Sequence, residues 1–128
     1  MMCSEQKQFR NSIEHLPDAV LVCDRGGSIV TANSAACRLL SCDRATLLKL
    51  ALAEIDTRVS SVDPAGISLY GLSTTHSVVR RESVYLRSDG KRLPVELSVA
   101  LTRFDGADCI VTLIRARNQK GLNSEQQQ

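Results

Sequence analysis

The sequence predicts an α+β fold, an antiparallel sheet with helices packed on one face. Three observations predict it. A hairpin at Ala19 to Ala32 runs directly into a helix. The period changes to two after Glu82, with Leu93, Val95, Leu97, Val99 and Leu101 alternating with Pro94, Glu96, Ser98, Ala100 and Thr102. Asp-Gly pairs at 89–90 and 105–106 supply the turns that such strands need. The element order is helix, two strands, several helices, three strands.

The chain opens with a polar helix from Ser4 to His15, its apolar stripe being Phe9, Ile13 and Leu16. Pro17 ends it, because a residue before proline avoids the helical region. Ala19 to Cys23 is a valine-rich strand. Asp24 to Gly27 is a turn, since glycine takes positive φ freely and aspartate bonds its own backbone two residues on. Ser28 to Ala32 is the second strand, and Asn33 caps a helix through Leu40. A short helix from Asp43 to Leu52 follows, capped by Asp43 and packing through Leu47, Leu48 and Leu50. Residues 53–66 are mixed and polar, broken at Asp63-Pro64, and a further helix is expected within Ile67 to Val79.

The alternating strand buries one face, and each of its five apolar side chains contributes about 1.5–3 kcal/mol when fully buried. A slip by one residue would turn them all to solvent. Pro94, having no N–H, belongs where the ladder needs no donor. Cys109 to Ile114 is apolar on both faces, which predicts a central, covered strand.

With 128 residues the chain is read as one domain that buries about two-thirds of its unfolded surface. No apolar run approaches the roughly 18 residues of a membrane span, and the opening six residues carry no signal-peptide pattern. The expected location is therefore the cytoplasm. A net charge of +2 gives no case for nucleic acid, and the Arg80-Arg81 pair reads as solvated surface. The five cysteines, at 3, 23, 37, 42 and 109, are odd in number and include no CxxC, so they read as reduced thiols. With two histidines, His15 and His76, neither near a cysteine pair, no metal site is expected. No nucleophile–base set or phosphate loop is present, so no catalytic residue is assigned. Glu54 and Asp56 form the nearest approach to a carboxylate pair and read as solvated.

The stretch Leu16 to Leu40 resembles the opening of a PAS domain. Leu16-Pro17-Asp18 matches the entry, and the strand to Asp24 matches the first strand. The Gly26-Gly27 turn, the second strand, Asn33 and Ala35-Ala36 follow in the family's order. Tyr85 to Val99 resembles its second hairpin, with a Pro94-Val95-Glu96 step. The resemblance spans about Ile13 to Arg117. It implies a five-stranded PAS sheet and divides the chain into a flanking helix (1–12), a PAS sensory domain (13–118) and a polar linker or tail (119–128).

The resemblance also implies a role as input domain, binding a small ligand or a partner and modulating a covalently linked C-terminal output. That output would be c-di-GMP synthesis by a GGDEF diguanylate cyclase or a histidine kinase, reached through a homodimer. The alternative is a ligand-free dimerisation or interaction module. In such proteins the N-terminal helix either makes the dimer contact outside the core or docks on its own sheet. Candidate pocket residues are Val22, Ile29, Leu72, His76, Leu86, Leu97 and Ile114, which otherwise close as ordinary core.

Neither haem nor flavin is supported by the residues present. His76 lies near the family's haem-ligand region but reads as a surface histidine. Ala36-Cys37-Arg38-Leu39-Leu40 echoes the flavin-adduct motif of LOV photosensors on the wrong element, and little aromatic surface is available for stacking. The signal exit maps to Arg115, Ala116 and Asn118, where the family's acid and threonine are replaced by Ala116 and Asn118.

Overall fold

The computed structural model describes residues 4–73, 77–104 and 106–117. Five helical or turn segments and five strands follow the chain. They are α1 (Ser4–Glu14), β1 (Ala19–Asp24), β2 (Ile29–Ala32), α2 (Ser34–Leu40) and α3 (Arg44–Leu47). A 3-10 turn (Leu52–Glu54) precedes α4 (Ile67–Tyr70), β3 (Val79–Leu86), β4 (Arg92–Phe104) and β5 (Ala107–Ala116). The strands form one antiparallel sheet in the order β2-β1-β5-β4-β3. The predicted fold class is therefore observed, and β5 is central, as its two apolar faces require.

Local chemistry sets the first hairpin. The Asp24 carboxylate accepts from the Ser28 N–H at 3.0 Å, and the Gly27 N–H donates to the Asp24 carbonyl. Gly27 has φ of +84°, and a Cβ there would lie 2.4 Å from the Pro64 carbonyl oxygen. Glycine is needed twice over at this position, for its dihedral and for the approach of the loop before α4. Asn33 caps α2 through a bond from the Ala36 N–H.

Strand alternation divides the side chains between two faces. Leu21, Cys23, Tyr85, Val95, Leu97, Val99, Leu101, Ile110 and Ile114 share one buried cluster with Ile29, Ala36, Leu40 and Leu47. Val20, Val22 and Cys109 form a second cluster with Ile13, against which Phe9, Val111 and Leu113 pack. The amphipathic helix α1 thus docks on its own sheet, on the face opposite α2 and α3. The expectation of helices on one face holds for α2 to α4 and is corrected for α1. Leu16, the third member of the expected stripe, is exposed.

Two other helices are shorter than the sequence predicts. The expected helix over 43–52 is one turn, capped by Asp43 through the Thr46 N–H; Leu47 is buried while Leu48 is exposed. The helix expected within 67–79 ends at Tyr70, because Gly71 turns left-handed at φ +66° and its N–H closes on the Ile67 and Ser68 carbonyls. Pro94 behaves as expected. Its carbonyl accepts from the Arg117 N–H, so the donor that it lacks would face β5 at its very end.

Three carboxylates tie elements together from the surface. Glu14 accepts from the Ser34 hydroxyl and from Arg44, joining the end of α1 to the starts of α2 and α3. Asp108 is held by Arg25 at 2.6 Å and by Arg103 at 3.1 Å. Asp43 caps α3. The Ser34 bond first, then Arg44, holds Glu14 below its ordinary 4.5. The Arg25 bond does the same for Asp108, and the Thr46 N–H for Asp43, both from 3.8. Carboxylates with depressed folded values contribute their stability above the unfolded values and lose it as pH falls through the folded ones. The urea midpoint is therefore expected to stay level from pH 7 to about 5.5 and to fall steadily once pH drops through about 4. A midpoint that rises on acidification would contradict these pairings.

Candidate functional site

The helix-facing side of the sheet holds four of the seven predicted pocket residues together. Ile29, Leu72, Leu97 and Ile114 all belong to the main buried cluster. Val22 does not: it lies on the α1 face beside Val20 and Ile13. Leu86 is 41% exposed, its neighbour Tyr85 being the residue that turns inward. Both differences have one cause. Facing follows strict parity along a strand, so an assignment one residue out lands on the opposite side. His76 lies outside the described residues.

The same inner face carries a polar group that the sequence did not announce. Asp56, expected in solvent, is fully buried. One of its carboxylate oxygens accepts from the Tyr70 hydroxyl, the other from the Ser83 hydroxyl and from the Arg58 N–H at 3.0 Å. Its partner in the supposed pair, Glu54, is exposed and turns back to accept from the Ala51 N–H. Backbone bonds hold the segment in place: Leu86 N–H to the Ile55 carbonyl at 2.7 Å and Thr57 N–H to the Val84 carbonyl at 3.0 Å. Asp56 is thus pinned against β3 and joined by side chain to α4.

Burial, reinforced by the bond to Asp56, pushes the Tyr70 phenol well above its ordinary value, and burial does the same for Tyr85. Both remain neutral hydrogen-bonding groups at any physiological pH. The arrangement is one anionic acceptor with hydroxyl donors at the edge of an apolar interior. Such a group can orient a polar end of a ligand. It offers no nucleophile–base pair.

The strand exit is tied to the chain's entry. Arg115 pairs with Asp18 at 3.4 Å, and Arg117 with Glu82 at 3.2 Å. Ala116 ends β5 opposite Val95. Asn118 lies outside the described residues. On the outer face, Arg80, Glu96, Ser98, Leu113 and Arg115 line a shallow cleft of about 210 Å³.

Among the described residues, no group of three or more His, Cys, Asp or Glu side chains could hold a metal ion. Burial raises the Cys23 thiol to about 12, and it raises Cys37 and Cys109 as well. No described helix is long and apolar enough to cross a membrane.

Comparison with known proteins agrees with this geometry. Residues 7–56 match a family model described as a PAS domain. No curated protein matches the chain. Several solved structures do. The PAS domain of an HTR-like protein from Haloarcula marismortui is 25% identical, with a TM-score of 0.74 over 88% of this chain and 92% of that one. The PAS domain of nitrogen regulation protein NR(II) from Vibrio parahaemolyticus is 18% identical, with a TM-score of 0.65 over 84% and 96%. A LOV protein from Rhodobacter sphaeroides is 16% identical, with a TM-score of 0.70 over 94% of this chain and 72% of that one. The chain has the PAS fold, and its residues 7–56 match the model of that family.

Proposed function

We propose that this chain is a sensory input domain that binds a small ligand or a partner and modulates a signalling output linked to its C-terminus. The single observation that carries this reading is the buried Asp56–Tyr70–Ser83 group on the inner face of a PAS sheet. It is a polar anchor beside Ile29, Leu72, Leu97 and Ile114, bridging the loop, α4 and β3. A ligand carrying a hydrogen-bond donor would compete for the Asp56 carboxylate and so shift α4 relative to the sheet. The division into a flanking helix (1–12), a sensory core (13–118) and a linker (119–128) belongs to this reading, although α1 itself runs past residue 12 to Glu14. A histidine kinase or GGDEF output, homodimer formation and a cytoplasmic location belong to it as well.

A second reading, a ligand-free interaction module, draws on the close filling of the inner face by Tyr85, Leu97, Ile110 and Ile114, each nearly inaccessible. A thermal-shift panel of small metabolites on the purified chain tests the first. A ligand that binds only the folded state raises the melting temperature with its concentration. Such a shift is expected, and Asp56→Asn is expected to weaken it. A chain that no compound stabilises, but that self-associates, favours the interaction module.

A further inference from the structure

Two cysteines flank the end of α2. Ser41, in the left-handed region at φ +53°, folds the chain back there. Its N–H donates to the Arg38 carbonyl, and the Cys42 N–H donates to the Cys37 carbonyl at 3.0 Å. These two bonds make a Schellman motif, which is frequently accompanied by a contact between the side chains on either side of the reversal. Here both positions are cysteine. Both side chains are half-buried and pack against the same main cluster. The Cys42 N–H to Cys37 carbonyl bond holds the two residues face to face across the reversal, and a disulfide between them requires α-carbons roughly 4.4–6.8 Å apart. We propose that Cys37 and Cys42 are a redox-active dithiol that closes to an intramolecular disulfide under a hydroperoxide.

The chemistry balances with hydrogen peroxide as the two-electron oxidant. One thiolate attacks the O–O bond, forming a sulfenic acid and releasing hydroxide, which takes up the proton lost from the thiol. The second thiol attacks the sulfenic sulfur, the S–S bond forms and water leaves. Two thiols and one peroxide thus give one disulfide and two waters. Burial keeps the Cys37 thiol above its ordinary value despite the nearby Arg44. The buried Cys23 thiol, raised to about 12, takes no part. The reactive corner is also a joint: the Leu40 carbonyl accepts from the Ser88 N–H, and Arg87 donates to the Ser41 hydroxyl. Closing the pair stiffens the contact between α2 and the turn joining β3 to β4.

Trypsin reads the outcome directly, since Arg38 lies between the two cysteines. The folded chain is treated with dilute hydrogen peroxide, its remaining thiols are alkylated, and it is digested without reductant. The expected result is an intact mass lower by about 2 Da before alkylation, for two hydrogens lost. The digest then yields Gly26–Arg38 disulfide-linked to Leu39–Arg44. Dithiothreitol releases the link, and Cys42→Ser and Cys37→Ser each abolish it. The proposal is overturned if the two peptides are recovered separately alkylated. It is equally overturned by links to Cys3, Cys23 or Cys109 in their place, or by a sulfinic acid at either position without a disulfide.

Discussion

Asn33→Ala is expected to destabilise the fold by about 4 kcal/mol, the largest loss from any single polar side chain in the domain. Asn33 is fully buried, and its amide makes four bonds. The oxygen accepts from the Val20 N–H at 2.9 Å and the Ala36 N–H at 3.0 Å. The nitrogen donates to the Ile13 carbonyl at 2.8 Å and the Asp18 carbonyl at 2.9 Å. One side chain thereby joins the end of α1, the start of β1 and the first turn of α2. Loss of a helix cap alone costs about 0.5–2 kcal/mol. The rest comes from backbone groups left unpaired where water does not reach, at about 1–3 kcal/mol for each group that finds no substitute. Asn33→Asp is a sharper probe. It keeps both acceptor roles but turns a carboxylate oxygen toward two carbonyls, so it is expected to rescue little of the loss at pH 7. Urea unfolding of the three proteins decides this. A cost below about 1 kcal/mol for Asn33→Ala would show that the junction is not held as described.

Asp56→Ala is the second large effect, expected at about 3 kcal/mol. It strands the Tyr70 and Ser83 hydroxyls and releases the Arg58 N–H. The loss should be strongly coupled to its partners. In a Tyr70→Phe background the same substitution is expected to cost about 1–2 kcal/mol less, because one of the hydroxyls it would strand is already gone. A double-mutant cycle by urea unfolding measures this coupling. Strict additivity would mean that Asp56 and Tyr70 do not share a bond in solution.

The contrast between these two residues shows what was legible in the sequence. Asn33 could be read because its main role is local: a polar cap after a β run and before an alanine-rich turn of helix. Its bonds to Ile13, Asp18 and Val20 were not legible, since they depend on where α1 and β1 arrive. The first hairpin and β4 were equally readable, from turn chemistry and a strict period of two. Asp56 could not be read at all. It sits in a polar stretch with no periodicity, and it is buried by Tyr70 and Ser83, 14 and 27 residues further on. Only the assembled sheet brings these together.

The middle helices fail in an instructive way. Apolar residues at mixed spacing over 43–52 and 67–79 suggest helices, yet the described residues there form single turns, Arg44–Leu47 and Ile67–Tyr70. Ala51 is extended with Glu54 folded back onto it, and Gly71 is left-handed. The glycine was visible, and its role as a helix stop could have been read from it. Of the pocket candidates, Ile29, Leu97 and Ile114 are buried on the inner face of their strands, and Leu72 is buried just after α4. Val22 and Leu86 were misplaced because runs such as Val20-Leu21-Val22, apolar on both faces, carry no parity signal. For the cysteines, composition alone suggested inert core residues. The backbone bond that folds Cys42 back onto Cys37 emerges only from the left-handed Ser41, a conformation that serine does not advertise.

A sensory domain is expected to carry or capture a ligand, while a ligand-free interaction module would only pair with a second copy of itself. A non-denaturing mass spectrum of the freshly purified chain, paired with its absorption spectrum, separates the two most directly. A bound mass above that of the chain is expected of the sensory domain, whereas a bare-mass dimer that persists on dilution into the low micromolar range would favour the ligand-free interaction module. A colourless monomer at the bare chain mass, at every concentration, would contradict both readings.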